Sequence, residues 1–151
     1  MRVLLDTNIL ARIAQPGHPH RAPALAAVDT LRQRGDELFL VPQVLYEFWV
    51  ICTRPIEQNG LGLQVPVVIE KHEQAKALFT LLPDSDGIFP AWEKLVRQLE
   101  VKGKHAHDAR LVAAMETHRI DSALTFNTAD FSRYPRLTII DPLTIPPVPR
   151  K

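Results

Sequence analysis

With 151 residues, 46% of them hydrophobic, the chain holds enough apolar material for one core and is short for two. Charged residues make up 23% and the formal net charge is +1, which excludes a disordered polyelectrolyte and the strongly basic body of a general nucleic-acid binder. Asp6 breaks the first apolar run too early for a signal-peptide core, no stretch reaches the roughly 20 apolar residues of a spanning helix, and the lone Cys52 has no disulfide partner, so a cytoplasmic, membrane-free protein is expected.

Val3-Leu4-Leu5 reads as a short buried strand that stops at Asp6-Thr7-Asn8, residues that favour caps and turns. Asn8 to Ala14 is a short helix ended by Pro16-Gly17, and Ala22 to Arg34 a second one ended by Gly35. Leu38 to Val41 is the next strand. Pro42 suits the first turn of a helix whose apolar stripe is Val44, Leu45, Phe48, Ile51 and Cys52, and Pro55 ends it. Residues 56–65, with Asn59-Gly60 and Gly62, read as a loop or short hairpin. Pro66 to Leu82 is a helix broken by Pro83-Asp84-Ser85-Asp86-Gly87. Pro90 to Val101 and Ala106 to His118 are two more, separated by Gly103. Ser122 to Phe126 and Leu137 to Ile140 are strands, with a single turn at Asp130-Phe131-Ser132 between them. The alternation predicts a small parallel α/β sheet with helices on both faces, one domain over residues 1–142, and a peripheral proline-rich tail over 143–151.

Three acids stand where acids are costly. Asp6 ends a buried strand, the place where open parallel sheets form their sites, although a plain helix cap explains it alone. Glu47 borders the apolar stripe of its helix, where a salt bridge to Arg54 is the simpler account. Asp108 is followed by Leu111, Val112 and Met115 at i+3, i+4 and i+7, which puts it in the middle of a buried face; it also lies in a first helical turn, where a cap is the competing use. Carboxylates ~5 Å apart repel by about 3 kcal/mol at an effective dielectric near 20, so convergence of the three calls for a cation. An all-oxygen set suits Mg²⁺ or Mn²⁺; zinc would ask for more nitrogen or sulfur, and His105 and His107, two apart on a helix, do not face each other. The segment Val101 to Arg110 supplies a local basic patch through Lys104, His105 and Arg110, with Arg54 a further candidate for holding an RNA backbone.

Asp6-Thr7-Asn8-Ile9-Leu10, Glu47 in a helix ending Cys52-Thr53-Arg54-Pro55, His107-Asp108-Ala109, and Leu124-Thr125-Phe126-Asn127-Thr128-Ala129-Asp130-Phe131, in this order, resemble the PIN-domain family, especially VapC-type toxins. The resemblance implies a three-layer fold and an Mg²⁺- or Mn²⁺-dependent ribonuclease leaving 5′-phosphate and 3′-hydroxyl ends. It maps the acidic cluster onto Asp6, Glu47 and Asp108, with Thr7, Asn8, Thr125 and Asp130 in support. At the fourth position an acid is replaced by Asn127, which can still offer a carbonyl oxygen or orient water; Asp130 is a substitute for the missing acid or, just before Phe131, a cap or surface turn. A VapB-like antitoxin partner and a homodimer are further implications. Two rivals remain: a catalytically silent PIN scaffold that binds RNA or a protein, supported by the missing fourth acid, and a phosphatase of the haloacid-dehalogenase kind, disfavoured because Asn8 stands where that pattern wants an acid.

Overall fold

The computed structural model describes residues 1–146. Five strands, β1 (Arg2–Leu5), β2 (Glu37–Leu40), β3 (Thr80–Leu81), β4 (Ser122–Leu124) and β5 (Thr138–Ile140), form one sheet in the order β3-β2-β1-β4-β5, and every pairing is parallel. The connections are α1 (Thr7–Ile13), α2 (Arg21–Gln33), α3 (Pro42–Thr53), α4 (Val65–Leu78), α5 (Ile88–Gln98) and α6 (His105–Thr117). This is the three-layer α/β/α arrangement expected from the alternation of apolar runs. The central strand β1 buries Val3, Leu4 and Leu5 completely because helices cover both faces, which is why it reads as an unbroken apolar run. Cys52 is buried in the same core, and desolvation pushes its thiol up to about 11, so it acts as a small apolar side chain.

Local chemistry sets the element ends. Asp6 is the N-cap of α1, its side chain accepting from the Thr7 amide, and Pro42 opens α3 at a position where its missing N–H costs nothing. α5 begins at Ile88, two residues before the expected Pro90, which is tolerated because a proline in the first turn breaks no intrahelical bond. α4 is shorter than expected. Its run to Leu82 is cut at Phe79, whose buried ring lies under the Arg32 guanidinium, and Thr80–Leu81 instead pair with Phe39 and Leu40 as edge strand β3. Residues 56–65 are not a hairpin. They form a 3₁₀ turn at Ile56–Gln58 and a left-handed Asn59, and are pinned to the end of α3 by Leu61 and Leu63 amides donating to Ile51 and Cys52 carbonyls. A side chain at Gly60 would put its Cβ 1.9 Å from the Arg54 carbonyl oxygen, so only glycine fits this crossing.

The chain after β5 begins tied down rather than loose: Pro142 is buried and Ile145 packs on the core, while residues 147–151 of the expected tail lie outside the described residues. Among the described residues no helix is long and apolar enough to cross a membrane.

The strand order locates a site. From β1 the chain winds outward to β2 and β3, then returns past β1 to place β4 and β5 on its other side, so the order reverses between β1 and β4. Helices leaving neighbouring strands on opposite sides of such a reversal leave a crevice at the carboxyl ends of the strands. Asp6 follows β1 and Thr125 follows β4, one at each lip of that crevice.

Candidate functional site

The crevice floor is built from Asp6, Thr7, Asn8 and Thr125. Asp6 is only 8% exposed, and its carboxylate is held from three directions. Thr7 N donates to Oδ1 at 2.7 Å, Thr125 Oγ1 donates to Oδ2 at 2.7 Å, and Asn8 Nδ2 lies 3.3 Å from Oδ2. Asn8 also donates to Thr125 Oγ1 at 3.0 Å and accepts from the Phe126 amide at 3.1 Å, so one carboxamide ties the end of β4 to the start of α1. Thr7 joins the first acid to the second, because its hydroxyl donates to Glu47 Oε2 at 2.7 Å.

Glu47 does not pair with Arg54. Gln43, one turn earlier on α3 and buried, donates to Glu47 Oε1 at 2.9 Å and to the His107 carbonyl at 2.8 Å, while its own carbonyl accepts from Arg110 Nη1 at 3.0 Å. Gln43 was invisible to sequence reasoning: a single glutamine in an apolar stripe gives no signal until α6 is placed beside α3. Arg110 reaches on to Asp84 at 3.4 Å, so among the basic candidates it supports Glu47 through Gln43. Arg54 is turned away, donating to the Asn59 carbonyl of the pinned loop. Lys104 is exposed at the start of α6.

Asp108 stands at the rim. It is half-buried at the open end of α6 rather than in the middle of the buried face, because Ala109 and the run Leu111–Met115 fill the core and leave the first turn at the crevice. Its Oδ2 lies 3.4 Å from His105 Nδ1. The 3₁₀ turn Thr128–Phe131, anchored by the buried Phe131 ring, brings Asp130 to the same place. One ligand atom each of His105, Asp108 and Asp130 lies within 4.8 Å of the other two. The expected turn at Asp130 is present, but its carboxylate belongs to the acidic group. Asn127, the residue expected at the fourth position, is exposed and contributes its backbone amide, donating to Thr125 Oγ1 at 3.0 Å. The acids therefore stand in two tiers, Asp6 joined to Glu47 through Thr7 and Asp108 beside Asp130, with the charges of Glu47 and Asp108 both acting on Asp6.

The tiers feel one another. Burial pushes the Asp6 carboxyl up to about 6, opposed by the Thr125 and Thr7 hydrogen bonds and reinforced by the charges of Glu47 and Asp108. Asp108 is raised too, first by burial and then by Asp130, with His105 pulling the other way and Glu47 adding to the rise. Four carboxyl groups are thus held in one crevice, two of them disfavoured as anions, a charge excess that a cation relieves. The donor set is oxygen-rich with one nearby imidazole, which fits a hard divalent ion such as Mg²⁺ or Mn²⁺ and falls short of a structural zinc site. A cleft of about 860 Å³ lies elsewhere, between the last turns of α5 and α6 and the chain entering β4 and β5, and holds none of these acids.

The family model described as "PIN domain" matches residues 3–137. No curated protein matches the chain. Among solved structures, VapBC2 from Rickettsia felis, bound to a DNA fragment from its promoter, superposes with a TM-score of 0.70 at 15% identity, covering 93% of this chain and 98% of that one. VapBC-1 from nontypeable Haemophilus influenzae gives 0.69 at 17% identity over 95% and 100% of the two chains. VapC20 of Mycobacterium tuberculosis, a toxin that cleaves the sarcin-ricin loop, gives 0.60 at 21% identity over 87% and 95%.

Proposed function

The chain belongs to the PIN domain family, and from that premise we propose that it is a divalent-metal-dependent endoribonuclease, the toxin of a toxin–antitoxin pair. The observation that carries this reading is the buried, electrostatically disfavoured Asp6 at the sheet's reversal point, with Glu47, Asp108 and Asp130 around it. Carboxylates gathered at such cost are useful where cations and phosphates are bound.

Asp6, Glu47, Asp108 and Asp130 are the residues that would hold Mg²⁺ or Mn²⁺. The chemistry supplied by the ion when bound is neutralisation of charge on the scissile phosphate and a lowered pKa for the attacking water. The protein's part is division of labour. Asp6 is oriented by three hydrogen bonds, so its position is fixed before substrate arrives. Glu47 is held beside it by Thr7 and Gln43. Asp108, at the mouth and beside His105, would align the water for in-line attack and accept its proton. Lys104 and His105 at the start of α6 are placed to meet RNA phosphates, while Arg110 keeps Glu47 in register through Gln43.

A similar solved structure from Klebsiella pneumoniae is described as a toxin–antitoxin complex, which supports an antitoxin partner here; a homodimer is the expected assembly. The test is direct. Purified protein should cleave single-stranded RNA with Mn²⁺ or Mg²⁺ and not with EDTA, and its expression should arrest growth until a cognate antitoxin is co-expressed. Manganese-loaded protein that binds RNA without cutting it would favour the silent-scaffold reading.

A further inference from the structure

One cluster beside the crevice takes no part in the acid chemistry. The turn between α1 and α2 carries His18 and His20, and the His20 ring lies flat on Phe126, with centroids 4.5 Å apart and planes at 9°. His18 meets His20 edge-on at 5.3 Å, and its Nδ1 accepts from the His20 amide at 3.0 Å, which fixes both rings on a loop that would otherwise be free. All three side chains are only partly covered, so aromatic surface faces solvent.

The position matters as much as the composition. Phe126 follows Thr125 directly, and its amide donates to Asn8 Oδ1, while Asn8 Nδ2 reaches Asp6 Oδ2. The ring stack is therefore mounted on the same carboxamide that frames the buried acid. Arginines stand on either side of this turn in the chain, and the Arg12 charge acts on His18. Arg12 bonds to Gln15, and Arg21 Nε donates to the Ile13 carbonyl, leaving the positive charge of each in the loop and unspent on any carboxylate among the described residues.

We propose that His20 and Phe126, with His18 and Arg12 beside them, form a stacking platform for one base of a single-stranded RNA whose adjoining phosphodiester enters the acidic crevice; this rests on the ribonuclease reading above. Aromatic faces next to cations, along a groove, are how sequence-tolerant single-strand binders hold unpaired bases. The acids give the platform a reason. A crevice with four carboxyl groups repels a phosphate backbone, so substrate affinity must be supplied from beside it, and stacking is insensitive to that repulsion. Desolvation, Arg12 and His20 together hold His18 below the usual imidazole pKa, so that ring is a neutral, polarisable surface near neutral pH.

The test uses a fluorescein-labelled RNA of about 12 mixed nucleotides, its binding followed by anisotropy with Ca²⁺ and its cleavage followed with Mn²⁺. His20→Ala and His20→Leu should each raise Kd and KM by about 5-fold to 100-fold, the range for losing one stacked base, with kcat within about twofold of the parent. His20→Phe should keep parental affinity, because it restores the ring without the imidazole nitrogens. The same sequence in duplex form should bind less tightly and be indifferent to all three substitutions, its bases being unavailable. Unchanged Kd in His20→Ala and His20→Leu, or an equal loss in His20→Phe, would overturn the platform. The two readings fail separately: absence of Mn²⁺-dependent cutting by the parent protein counts against the nuclease, whereas the anisotropy series decides the platform whether or not cutting occurs.

Discussion

Asp6 and Asp108 are both aspartates at the start of a helix on the same edge of one sheet, yet they are held in opposite ways. Asp6 is buried and gripped by Thr7, Asn8 and Thr125, whereas Asp108 is half-buried and, among the described residues, has its one side-chain partner in His105. The floor of the crevice is pre-organised and strained by burial; the rim is adaptable and held loosely. A site built this way can keep a fixed charge where the ion sits and a movable one where the water and the RNA arrive.

The largest effect should come from the floor. Asp6→Asn should reduce cleavage by about three orders of magnitude, as expected when several kcal/mol of charge stabilisation are lost. The same substitution should stabilise the metal-free protein near pH 7. The folded-state pKa of about 6 lies above the ordinary 3.8, so the folded state keeps a proton that the unfolded chain has lost between those values. The protonated Asp6 is comfortable below about pH 4, and stability falls as pH rises toward 6, by up to about 3 kcal/mol in all. Urea unfolding of EDTA-treated protein at pH 4.5 and 7 checks both statements, and Asp6→Asn should flatten the difference.

At the rim the comparison predicts a different pairing of effects. Asp130→Asn should lower kcat roughly 100-fold with little change in unfolding midpoint, since the carboxylate is not buried and the Phe131 anchor is kept. Asn127→Ala should change cleavage by less than about threefold, because the backbone amide that serves Thr125 survives. Equal losses in the two variants would return the fourth position to Asn127. A smaller effect than at either acid is expected between the tiers. Gln43→Leu, which leaves Glu47 and Arg110 without their shared partner, should cost about 1–2 kcal/mol of stability and about tenfold in kcat, with KM little altered.

The same division explains what the sequence could reveal. The floor is written in consecutive residues: an apolar strand that stops at Asp6-Thr7-Asn8 states both the sheet edge and the cap, and α3 and α6 announce themselves by apolar stripes and by Pro42 and Gly103. The rim is written in tertiary placement. Asp130 reads as a turn residue because it is one, and nothing local says that this turn brings its carboxylate beside His105 and Asp108. Gln43 owes its role to contacts 64 and 67 residues away, with His107 and Arg110. Strand β3 escaped detection because two exposed residues carry no alternation, and their pairing is specified by Phe39 and Leu40. Arg54 drew attention as a cation near the site in sequence, but the glycine crossing at Gly60 commits it to the neighbouring loop.

The most direct measurement is calorimetric titration of Mn²⁺ into EDTA-stripped protein at pH 6, repeated in buffers of different ionisation enthalpy. The account requires saturable uptake that releases part of a proton, much of it the one Asp6 holds at that pH, and the proton release should shrink in Asp6→Asn. Absence of uptake, or uptake with identical proton release in parent and variant, would contradict a crevice whose buried carboxylate exists to meet a cation.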